Sequence, residues 1–171
     1  MVTLRCTKKL LRRMKRSAPT AAAPATTALG DWYATLLFVR PRHLVLCVSE
    51  RSRLAVLLEA APLTTLAARF VPALREVLEA LGVSDAAISR EEQEMVPWFL
   101  GPTQSRSVLG TLNEYVKTLE YEREAMSLPG TASIPDAAAI LEQSLFLSQI
   151  ICSPLQWRHP GEVARDLLEA E

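Results

Sequence analysis

Basic side chains supply the most concentrated chemistry in this sequence. Lys8, Lys9, Arg12, Arg13, Lys15 and Arg16 put six positive charges into nine residues. That density suits phosphate contacts, whose attraction is salt-dependent and indifferent to base sequence. The same pattern would also lie on anionic lipid. The competing reading is a helix that packs Leu10, Leu11 and Met14 on a sheet and keeps its charges in water. Arg40 and Arg42, in Arg40-Pro41-Arg42-His43, are expected at a hairpin tip, where they would extend the basic surface.

A second candidate lies between Thr103 and Gly110. Arg106 and Ser107 open a helix there, and free N–H groups and the helix dipole at such a start favour an anion. An arginine in a first turn opposes that dipole. It therefore calls for compensation, from a carboxylate such as Glu50 or from a ligand phosphate. In an enzymatic version Glu50 is the acid–base group and must share a cleft with Arg106. Asn113 and Glu114 would be polar neighbours.

Other enzyme signatures are missing. The sequence has no phosphate-binding glycine loop, dinucleotide fingerprint or nucleophile elbow. His43 and His159 are its only histidines, and neither has a carboxylate or cysteine at metal-ligand spacing. Pro135-Asp136 with Glu142 has the look of a nuclease carboxylate pair, but Ser144 stands where such a site wants lysine. Glu91, Glu92 and Glu94 could bind a divalent metal, but such a charge run reads first as the wetted side of a helix. Trp32, Tyr33, Trp98 and Trp157 could stack on bases, against the competing roles of core or rim packing. No catalytic residue, metal or cofactor is assigned.

The elements that carry these residues follow from composition and periodicity. The 171 residues are 49% hydrophobic and 22% charged, which fits one globular domain over 1–171. The formal net charge of zero hides a division. Residues 1–53 hold eleven basic and two acidic side chains, a net +9, and residues 54–171 carry the balancing −9. Such separation hints at a polyanionic partner, unless the two parts neutralise each other within the fold. Cys6, Cys47 and Cys152 form no disulfide or zinc pattern, so a reducing, cytoplasmic setting is expected. No apolar stretch is long enough to span a membrane. The acid-free start looks like a transit peptide, but Val2 to Thr7 alternates as a short strand leading straight into a helix.

Residues 2–6 predict a strand, and Lys8–Arg16 a helix with Thr7 as N-cap. Residues 17–28, rich in Ala, Thr and Pro, predict a flexible low-complexity loop. Tyr33–Val39, Leu44–Val48 and Leu54–Leu58 predict a three-strand antiparallel meander, and the continuous apolar runs imply strands covered on both faces. A helix follows from Leu63 to Leu81, kinked or split at Pro72 and stopped at Gly82. Ser84 caps another to about Met95. Val96–Leu100 is a further strand that Pro97 confines to an edge. The helix after Ser105 contains Gly110, for which close backbone packing is the expected reason. Pro129-Gly130 breaks it. Ser133 to Asp136 forms a cap for a helix to about Ile151, and a short helix starts at Pro160. The fold class is α+β. A small, mostly antiparallel sheet, made of the N-terminal strand, the meander and an edge strand, is flanked by helices. The C-terminal half is helical, with 131–171 an extension packed on the rest.

Three segments together resemble a known family. They are Arg5-Cys6-Thr7-Lys8-Lys9-Leu10-Leu11, Gly30-Asp31-Trp32-Tyr33-Ala34 running on to Arg40, and Arg106-Ser107-Val108-Leu109-Gly110 with Leu112-Asn113-Glu114. The family is an uncharacterised bacterial domain of unknown function. The resemblance covers most of 1–120 and extends loosely to Ser148–Pro154. It implies a bacterial cytoplasmic protein and brings no activity or catalytic residue. Its members carry a polar pair before the Arg-Ser step, here Gln104-Ser105.

The expected function is therefore a non-enzymatic module that contacts nucleic acid or another acidic partner through Lys8, Lys9, Arg12, Arg13, Arg40 and Arg42. The alternatives are an enzyme holding a phosphorylated or nucleotide substrate at Arg106 and Ser107, and a protein–protein adaptor of antitoxin type.

Overall fold

The computed structural model describes residues 1–17, 24–38, 42–126 and 136–170, with 124–126 as backbone only. Strand β1 (Val2–Cys6) leads through Thr7 into helix α1 (Lys8–Met14). Strands β2 (Trp32–Leu37), β3 (Leu44–Ser49) and β4 (Ala55–Glu59) follow, then a short 3-10 turn, α2 (Leu66–Ala80) and α3 (Asp85–Glu94). Strand β5 (Trp98–Pro102) precedes α4 (Arg106–Met126), α5 (Ala137–Ser148) and α6 (Pro160–Glu169).

The strands form one sheet in the order β4-β3-β2-β1-β5. The antiparallel meander β2-β3-β4 is as expected. However, β1 runs parallel to β2 on one side and to β5 on the other. The sheet is thus mixed and not mostly antiparallel. The connection from β1 to β2 contains a helix, and so does the one from β4 to β5. Connections of that length let strands return parallel, which alternation of side chains along a strand does not reveal.

Strand alternation divides the core into two faces. Leu4, Trp32, Ala34, Val45 and Val56 pack with Leu66, Phe70, Leu74 and Val77 of α2. Tyr33, Leu46, Val48 and Leu57 pack with Val108, Leu112 and Tyr115 of α4 and Leu147 of α5. Both faces of the central strands are buried, as their unbroken apolar runs require.

The two sheet edges differ. At β4, Leu57 N–H donates to Ser144 Oγ on α5 at 3.0 Å, and α5 packs along the strand. At β5, Pro97 O accepts from Val2 N–H at 3.2 Å, and Val2 pairs with Trp98. That register turns the N–H and C=O of Trp98 and Leu100 away from β1, towards an edge that no other described strand covers.

Buried polar groups fix the connections. Arg5 Nε donates to Asp31 Oδ2 at 2.7 Å, and Thr3 N–H donates to Asp31 Oδ1 at 2.9 Å, which ties β1 to the entry of β2. Glu91 is 2% exposed. Its carboxylate accepts from Ala28 N–H at 2.7 Å and Leu29 N–H at 3.2 Å, so it is a buried clamp and not part of a wetted helix side.

Other expectations change as well. Helix α2 runs unbroken through Pro72. Pro72 lies exposed, as does Ala68 four residues earlier, so water can serve the carbonyl that lost its donor. Gly110 does not mediate close packing, because a Cβ there would meet nothing within 4 Å. Helix α1 ends at Met14, and Lys15 takes a left-handed C-cap. Pro129-Gly130 and Ser133 lie outside the described residues, as do 18–23 of the 17–28 segment; within the rest of it, Thr27 and Ala28 are buried. The N-cap of α5 is Asp136, whose side chain accepts from Ala139 N–H.

Candidate functional site

Helix α1 owes its place to two local features. Thr7 Oγ1 caps it by accepting from Leu10 N–H, and Leu10 is fully buried against the α2 side of the sheet. Leu11 and Met14 are half-buried beside it. This one-sided anchoring leaves Lys8, Lys9, Arg12 and Arg13 exposed, and Lys15 and Arg16 are exposed just beyond. Among the described residues none of these six cations lies within 4 Å of a carboxylate. Lys9 Nζ sits 3.9 Å from the centroid of the Phe38 ring, and that ring is 58% exposed. Arg12 and Arg13 fall in the last turn, where positive charge complements the helix dipole.

Of the two expected hairpin arginines, only Arg42 falls among the described residues, and it is not free. Arg42 is engaged with Glu59 at 2.5 Å, and Arg40 lies outside the described residues. His43, beside them, stacks edge-on against Phe38 at 4.9 Å.

At the far end of α1 a cleft of about 360 Å³ opens between the helix end and strand β5. Arg13, Met14, Lys15 and Arg16 line one wall, and Trp98 and Leu100 the other.

The second candidate region centres on a residue that sequence reasoning missed. Arg53 is 9% exposed and has a left-handed backbone, with φ of 60°. Its guanidinium donates to Glu50 O and, at 3.2 Å, to Ser107 Oγ in the first turn of α4. Its Nε is buried without a partner among the described residues. Burial lowers its pKa from the usual arginine value, against the pull of Glu50. Ser105 caps α4 by accepting from Val108 N–H at 3.3 Å, while its own N–H donates to Tyr33 Oη at 3.1 Å. Arg53 thus links Ser107 to the Glu50 backbone. The Glu50 carboxylate accepts instead from Asp31 N–H at 3.4 Å. Arg106 is exposed and forms no ion pair among the described residues, so the carboxylate partner expected for it is not there. No sequence signal marks Arg53, because it sits in a turn whose left-handed residue is not glycine.

The remaining reactive groups are sheltered. Burial pushes the Cys6 thiol up to about 12 and the Cys47 thiol well above the usual range. Cys152 Sγ meets Tyr115 Oη at 3.2 Å, and burial raises both groups. Among the described residues no three His, Cys, Asp or Glu side chains converge on a metal-sized site. No described helix is long and apolar enough to cross a membrane. Trp32 is wholly buried, Trp157 is 73% exposed, and Trp98 is half-buried in the cleft wall.

A comparison with known families matches residues 3–163 to the Domain of unknown function (DUF6933). The chain belongs to that family. The DUF6933 match runs from Thr3 in β1 to Val163 in α6, so it takes in α1, β5, Arg53 and the start of α4. It agrees with the resemblance carried by the Arg5–Leu11, Gly30–Ala34 and Arg106–Gly110 segments. No curated protein and no solved structure matches the chain.

Proposed function

We propose that this DUF6933 chain is a non-enzymatic binding module that contacts a nucleic acid through helix α1. The observation that carries this reading is the set of six exposed cations, four on α1 and two just beyond its end, without a carboxylate partner among the described residues. The exposed Phe38 ring beneath Lys9 adds a surface on which a base could stack. Lys8, Lys9, Arg12 and Arg13 make the phosphate contacts, and Lys15 and Arg16 extend them. Gel-shift titration at about 50 mM salt checks this. Retention is expected there and falls steeply as salt rises, with a log–log slope of about −4 to −5 if all six contacts form. Absence of retention at that salt removes the reading.

The Arg53–Ser107 bond favours a second reading, a small-anion site at the start of α4. It predicts that inorganic phosphate shifts the backbone amide resonances of Arg106 and Ser107. A titration to tens of millimolar phosphate that leaves both unmoved ends it.

A further inference from the structure

The cleft between the end of α1 and strand β5 combines three features that each suit one part of a nucleotide. Its floor and one wall are apolar, formed by Leu63, Leu66, Trp98 and Leu100. Its other wall bears Arg13, Lys15 and Arg16, and among the described residues no acidic side chain lines it. Its volume of about 360 Å³ falls in the range of small-molecule sites. Trp98 is held in place by an edge-on contact with Phe70, at 5.4 Å between ring centroids. The third feature is the open edge of β5, which presents the backbone N–H and C=O of Trp98 and Leu100. Among the described residues these groups have no partner outside the sheet.

Duplex DNA keeps its bases stacked inside, so it can meet cations but cannot enter a cleft of this kind without flipping a base out. An unpaired base brings a π-face for Trp98, a hydrogen-bonding edge for the strand backbone and flanking phosphates for the basic wall. Resting on the reading of α1 as a nucleic-acid contact, we propose that this cleft receives one unpaired base. Arg13, Lys15 and Arg16 hold the adjoining phosphates, which makes the protein a single-strand binder.

The test compares a fluorescein-labelled mixed-sequence 12-nucleotide DNA strand with its duplex by anisotropy at matched salt. Single-strand affinity at least about tenfold above duplex affinity is expected, in line with one stacked base. Ala67→Leu, on the α2 side of the cleft, narrows it with a good helix former and without an added ring. It should bring single-strand affinity down to the duplex value and leave the salt slope unchanged. Trp98→Leu should do the same, and if that variant unfolds, Ala67→Leu decides alone. Equal affinity of the wild-type protein for strand and duplex overturns the cleft proposal while leaving α1 as the contact surface. So does a strand preference that survives Ala67→Leu. Failure to bind either probe removes the α1 reading and the cleft proposal with it.

Discussion

Single residues show how far local chemistry departs from the type of side chain. Gly110 sits inside α4, exposed, with open space where a Cβ would be. Its only effect there is on helix propensity and on the freedom of the unfolded chain. Gly110→Ala should therefore stabilise the protein by about 1 kcal/mol, seen as a higher urea midpoint with an unchanged m-value. Glu91 is the opposite case, a charged residue with a structural task. Its carboxylate satisfies two buried N–H groups, those of Ala28 and Leu29. Glu91→Ala would strand both donors, and each such loss costs about 1–3 kcal/mol. A urea midpoint well below wild type is expected, and a midpoint unchanged within error would show that the clamp is dispensable. Glu91 belongs to a run of acids that looks solvated by sequence alone. Only its position facing the 28–29 backbone, 62 residues away along the chain, reveals otherwise.

At the scale of elements, α5 protects one edge of the sheet, and among the described residues no strand covers the other. Helix α5 lies along β4, and Ser144 Oγ both accepts from Leu57 N–H and donates to Ile140 O, each at 3.0 Å. Ser144→Ala removes the acceptor from a buried strand N–H and should lower stability by about 1–3 kcal/mol. Hydrogen exchange should then speed up at Leu57 before the centre of the sheet. Exchange at Leu57 that matches wild type would mean that another group serves that N–H. Strand existence and boundaries were legible in the sequence because apolar runs and turn residues are local: β3 and β4 lie within about a residue of Leu44–Val48 and Leu54–Leu58. The edge position of β5 was also legible, through Pro97. Strand direction was not. The β1–β2 pairing depends on where a crossover of more than twenty residues returns the chain, and nothing within either strand encodes that. The same limit hid Arg53, whose importance arises from meeting Ser107 across 54 residues. Helix α1 was legible as a basic helix with a buried Leu10 seam, since cap, anchor and charges all fall within ten residues.

Across the described residues, the divided charge is unevenly paired. Of the eleven basic side chains in residues 1–53, Arg5 is held by Asp31, Arg42 by Glu59, Arg51 by a carbonyl of Ala28, and Arg53 by Glu50 O and Ser107. Among the described residues, four acids of the later part pair with arginines of that same part. Arg75 meets Glu79, Asp85 and Glu92, and Arg158 meets Asp166. The two parts therefore do not cancel at α1, where six cations remain exposed. Crowded like charges without carboxylate partners contribute self-repulsion and little to stability. Their removal should leave the fold intact and act on ligand binding alone. A variant with Lys8, Lys9, Arg12 and Arg13 all changed to Gln is expected to melt within a few degrees of wild type. Its remaining nucleic-acid affinity should show a salt slope shallower by about 0.7–0.9 for each lost contact. A melting temperature lowered by about 10 °C would instead mean that these charges hold α1 on the sheet. An unchanged slope would place the polyanion elsewhere on the molecule.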